Sequence, residues 1–101
     1  MKPPVALQLY TVRRPLVADL RATLQRVYNL VYRAVETYPF PPELPAEMVA
    51  AALVEFGLEV AALHTELPTH ENVDRLAAMS ALFRCRQMIW HGWPRGSLRR
   101  R

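Results

Sequence analysis

A strand-sized apolar run, a proline and then a helical pattern recur along this chain, and that recurrence limits the fold more than any other feature. Residues 5–10 run into Pro15, and Ala34, Val35 and Glu36 run into Pro39. Residues 58–64 end on His64 just before Pro68, and Met88, Ile89, Trp90 and His91 run into Pro94. The residues that close the runs are Tyr10, Glu36, His64 and His91, spaced 26, 28 and 27 positions apart. A near-constant period is read as an internal repeat. A strand with its returning helix needs roughly 25–30 residues, so each period is one βα unit.

The 101 residues suffice for one small domain, and a hydrophobic fraction of 51% suits a packed chain. No run approaches the roughly 18 apolar residues of a membrane span, so no membrane partner is expected. Met1-Lys2-Pro3-Pro4 opens no secretory leader, and Cys85 is the single cysteine, so a cytoplasmic chain without an intrachain disulfide is expected. Of the formal net charge of +4, Arg99, Arg100 and Arg101 supply most. A nucleic-acid footprint is a basic patch spread over the fold, so no specific nucleic-acid partner is expected. The reading is one partial unit of repeated βα pairs over residues 1–94 and a disordered basic tail over 95–101.

Between the strands the pattern turns helical. Leu16, Leu20, Leu24, Val27 and Val31 recur at spacings of three and four after Pro15, making one stripe. Val17, Tyr28 and Leu30 widen it beyond what a small sheet needs to cover. Met48, Val49, Ala52, Leu53 and Phe56 face the core from a second helix opened by Pro45, with Gly57 where a C-terminal glycine belongs. Thr69 is placed to cap a third helix carrying Val73, Leu76, Ala77, Ser80 and Phe83.

Alternating strands and helices predict a parallel sheet with right-handed crossovers. Strand parity puts Leu7, Leu9, Val35, Ala61, Leu63, Met88 and Trp90 on one face, apolar and suited to helices. Gln8, Tyr10, Ala34, Glu36, Val60, Ala62, His64, Gln87, Ile89 and His91 fall on the other, small below and polar at the C-terminal ends. A barrel interior with its mouth has this pattern.

Leu9-Tyr10-Thr11-Val12-Arg13, then Tyr32-Arg33-Ala34-Val35-Glu36, then Gly57-Leu58-Glu59-Val60 with His64, then Ile89-Trp90-His91-Gly92 together resemble the opening of sugar phosphate isomerase/epimerases, the xylose-isomerase-like TIM barrels. The resemblance runs over about residues 5–94. It implies an eight-unit barrel that binds a divalent metal and isomerises or epimerises sugars at its C-terminal mouth. Such a barrel takes roughly 250 residues, and this chain holds about half the units. In apurinic-site endonucleases of the same superfamily, histidines at the third and fourth strand ends bind zinc, which corresponds to His64 and His91. The family has a glycine before the aromatic residue that opens strand two. Here Val31 stands there, and the first helix is expected to run through Val31 or its turn to be remodelled, because a β-branched residue resists the left-handed conformation.

The candidate site follows. Glu36 is the candidate catalytic base or metal ligand. His64 and His91 are candidate metal ligands, and two histidines with one carboxylate make a workable zinc set. Tyr10 and Trp90 are candidate substrate-binding residues at the mouth. His70 reads as surface, and Cys85 as a buried structural thiol.

The fold class expected is α/β: a (βα)3β half-barrel-like fragment with a four-stranded parallel sheet, completed by oligomerisation. The function expected is that of a truncated or engineered fragment of a sugar phosphate isomerase/epimerase barrel, without native catalytic activity. It would fold by associating with itself as a homodimer or higher even oligomer. No cofactor is expected beyond a weakly held zinc or manganese. The alternative is metal-dependent isomerase or epimerase activity completed on assembly.

Overall fold

The computed structural model describes residues 5–90. Within them the chain runs β1 (Ala6–Gln8), a 3-10 turn (Leu9–Val12), α1 (Arg13–Ala18), α2 (Leu20–Asn29), β2 (Ala34–Thr37), α3 (Ala46–Glu55), β3 (Glu59–Thr65), α4 (Val73–Phe83) and β4 (Met88–Trp90). Among the described residues the sheet has four strands in the order β1-β2-β3-β4, and every neighbouring pair is parallel. Sequential parallel strands joined by right-handed crossovers put the intervening helices on one face. Leu16, Leu24, Val27, Val49, Leu53 and Phe83 from the helices join Val35 and Leu63 from the central strands in one buried core. The expected α/β architecture with its four-stranded parallel sheet is therefore present.

Several local expectations give way. The first strand stops at Gln8, because the Gln8 side chain accepts a hydrogen bond from the Tyr10 N–H at 3.2 Å and starts the 3-10 turn. Tyr10 therefore leaves the ladder. The first helical stretch is two helices, broken at Asp19, which turns extended (φ −157°, ψ 93°) so that its carboxylate caps α2 at the Ala22 N–H, 3.0 Å away. The last helix starts at Val73 and not after Thr69. Asn72 holds the approach, accepting from the Thr69 N–H at 2.7 Å and donating to the Leu67 carbonyl at 3.1 Å.

The turn at Val31 also corrects the expectation. The helix does not run through it: α2 ends at Asn29, and Val31 itself takes the left-handed conformation with φ 74°. Its N–H bonds the Tyr28 carbonyl at 3.0 Å, and Arg33 donates to the Tyr28 carbonyl at 3.1 Å. The Tyr28 carbonyl, in the last turn of α2, is thereby satisfied twice, which offsets part of the torsional strain. Gly57 (φ 71°) ends α3 as expected, with Leu58 N–H bonding the Leu53 carbonyl at 2.9 Å.

A register shift in the pairing of β2 and β3 corrects the face assignment. Val35 pairs with Val60, but Glu36 pairs with Ala62 and Thr37 with Leu63. Ala61 is the extra residue of this bulge and is exposed. Val60 is consequently on the core side with Val35, where it packs against the buried cluster. Past the bulge, parity reads as expected: Leu63 is buried at 1% exposure in the core, and Ala62 and His64 lie on the face of Glu36. Without the extra residue, a chain that buries Val60 would turn His64 toward the helices.

Candidate functional site

Glu36 sits one residue before the end of β2, in register with Gln8 on one side and Ala62 on the other. His64 lies two positions further along β3, in register with Ile89 of β4. Neighbouring strands in register and same-face parity bring Glu36 and His64 side by side near the C-terminal ends of the strands. Their side chains meet: His64 Nε2 lies 2.6 Å from Glu36 Oε1, with side-chain exposures of 12% and 30%. Ala34 and Ala62, small and buried, lie on the same face but outside the core cluster that carries the helices. The pair thus stands on the sheet face opposite the helices.

A carboxylate in hydrogen-bonding contact with an imidazole can orient the ring, exchange a proton with it, or share a cation with it. The metal reading is incomplete on the described residues. Glu36 and His64 supply two donors, and among the described residues no group of three histidine, cysteine, aspartate or glutamate side chains is placed to hold a metal ion. His91, the other candidate ligand, lies outside the described residues.

The two substrate-side candidates are placed differently. Tyr10 is 51% exposed, with its ring edge-on to Tyr38 at 5.4 Å between centroids and the Arg13 guanidinium 4.0 Å above it. Trp90 is in register with Thr65, adjacent to Ile89, and so has the parity of Leu63 and Met88. It is 39% exposed. Tyr38 was not singled out from sequence. It follows β2 directly, and its ring packs on Tyr10 and, at 4.7 Å, on Phe40. The signal was the aromatic residue just before Pro39, which reads as stiff loop but also holds a ring under the mouth. His70 is exposed and Cys85 is buried, as expected from sequence.

No helix among the described residues is long and apolar enough to cross a membrane. No protein-family model matches the chain, and no curated protein matches it. Among solved structures it is similar to a sugar phosphate isomerase/epimerase from Parabacteroides distasonis, with a TM-score of 0.67 and 16% sequence identity. The likeness covers 94% of this chain and 41% of that one, so the chain spans less than half the length of the protein it resembles. What the two share is the fold: this chain has the strand and helix arrangement of part of a TIM barrel.

Proposed function

We propose that the chain acts as a half-barrel that associates with a second copy of itself and has no sugar isomerase or epimerase activity of its own. The observation that carries this reading is the pairing of Glu36 with His64 on the face away from the helices, in a sheet whose described outer strands β1 and β4 each have one paired neighbour. In a closed barrel that face is the interior and every strand edge is paired. Two copies of a four-stranded unit supply the eight strands of such a barrel. Twofold assembly is the commonest closed symmetry. The mass in solution tests the association.

A second reading is favoured by the contact between Glu36 and His64 itself: a metal-dependent sugar isomerase or epimerase site completed on assembly. In it Glu36 is base or ligand, His64 and His91 are ligands, and Tyr10 and Trp90 border the sugar. The two readings separate on zinc or manganese. With two donors among the described residues, Glu36 and His64, zinc binding is expected to be weaker than micromolar. Calorimetry that finds a tight stoichiometric site, abolished in His64→Ala with His91→Ala, would replace the first reading by the second.

A further inference from the structure

A separate cleft opens between α1 and the proline-rich loop after β2. It is walled by Arg13, Arg14, Val17, Tyr38, Pro39 and Pro41 and has a volume of about 500 Å³. Two of its six walls are guanidinium side chains and none is acidic. Arg13 is fixed where it stands: its Nη1 donates to the Tyr10 carbonyl at 3.0 Å, and its guanidinium lies over the Tyr10 ring. A guanidinium held by one of its five N–H groups keeps donors for another acceptor. Arg14 is exposed beside it.

An independent observation comes from Tyr38. The residue is only 8% exposed, and its hydroxyl has no hydrogen-bond partner among the described residues. A buried hydroxyl without a partner costs stability and calls for an explanation. Burial pushes the Tyr38 pKa up, and the opposing influence of the Arg13 charge is smaller, so the hydroxyl remains a neutral donor at ordinary pH.

We propose that this cleft binds a small organic oxyanion, a carboxylate or a phosphomonoester, that carries an apolar group. The oxygens pair with Arg13 and Arg14, and the Tyr38 hydroxyl, buried in the free chain, donates to one of them after a small shift of its ring. Planar guanidinium groups suit both kinds of oxyanion, because they can donate two parallel hydrogen bonds. Val17, Pro39 and Pro41 form the wall against which the apolar group rests. The site goes beyond the function proposed above. All six residues come from the first two βα units, so it requires neither a second copy nor a metal.

Titrating the chain with phenyl phosphate, benzoate and benzyl alcohol, followed by amide chemical shifts, tests this. Phenyl phosphate, benzoate or both should bind saturably with a Kd of about 1 mM or tighter, with shifts centred on Arg14, Val17 and Tyr38. Benzyl alcohol, which has the same apolar ring without the charge, should bind at least about tenfold more weakly. The tighter of the two anions identifies the headgroup. Tyr38→Phe removes one oxygen that has no partner, so the fold should persist while affinity for the anion falls at least about fivefold. Arg14→Gln should weaken binding by a similar factor. The proposal is overturned if neither anion saturates, if benzyl alcohol binds as well as the anions, or if either variant keeps the original affinity. None of these readings depends on the mass of the assembly.

Discussion

At the scale of single residues, Val31 holds a left-handed backbone (φ 74°) with a β-branched side chain that is 77% exposed. Such a conformation costs about 1–2 kcal/mol for a residue with a Cβ, and little side-chain burial is at stake. Replacing Val31 by glycine should therefore raise stability by about 1 kcal/mol in urea denaturation, less the extra freedom glycine gains when unfolded. An unchanged or lowered midpoint would mean that Val31 makes packing contacts that matter. The resemblance puts a glycine at this position, and a valine there is expected to carry the helix onward or to remodel the turn. The sequence could not show that the backbone would accept the strain, since that depends on how Arg33 and the Val31 N–H satisfy the Tyr28 carbonyl. Glu36 and His64 were likewise legible as strand-end residues on one face. Their contact depends on a bulge that parity does not reveal.

At the scale of elements, three of the described helices end with one device. A left-handed residue follows α2 at Val31, α3 at Gly57 and α4 at Arg84 (φ 54°), and each leads into the next strand. Only Gly57 announced itself in the sequence, because glycine adopts this conformation without a steric cost. The break at Asp19 was hidden for a related reason: the apolar stripe of α1 and α2 continues across it, and only the carboxylate cap marks the boundary. The helices are also tied to one another. Arg21 of α2 grips both carboxylate oxygens of Glu55 on α3. That hydrogen bonding holds the Glu55 carboxyl below its usual range and raises the Arg21 guanidinium. A carboxyl whose pKa is lowered on folding stabilises the fold above its unfolded pKa, and that contribution is lost as pH falls through the folded value. Both side chains are exposed, so the effect is small and screened by salt. Comparing the wild type with Arg21→Gln should show a stability difference at neutral pH and low salt that disappears under acid. A difference that is constant from neutral to acid pH would remove the pair from the account.

At the scale of the whole molecule, the parallel order and the single helical layer were readable from the period and from right-handed crossover geometry. The face away from the helices was read too simply. Val60 moved to the core through the bulge, while Ala62, His64, Glu36 and Ile89 remain on that face. It is lined by small alanines and by a polar pair, which is how a barrel interior differs from a second hydrophobic core. Of the side chains that the sequence marked as surplus, Val17 and Leu30 are exposed along the first helical unit and its following turn, as is Val31 from the expected stripe, whereas Tyr28 packs against the core. Both features fit a unit that meets another copy. The most direct test is the mass in solution by sedimentation equilibrium at micromolar concentration, together with amide spectra of the same sample. Twice the chain mass of 11.6 kDa, or a higher even multiple, is expected, with dispersed amide signals. A single chain mass of 11.6 kDa with equally sharp, dispersed signals would contradict it, because the half-barrel would then be complete on its own.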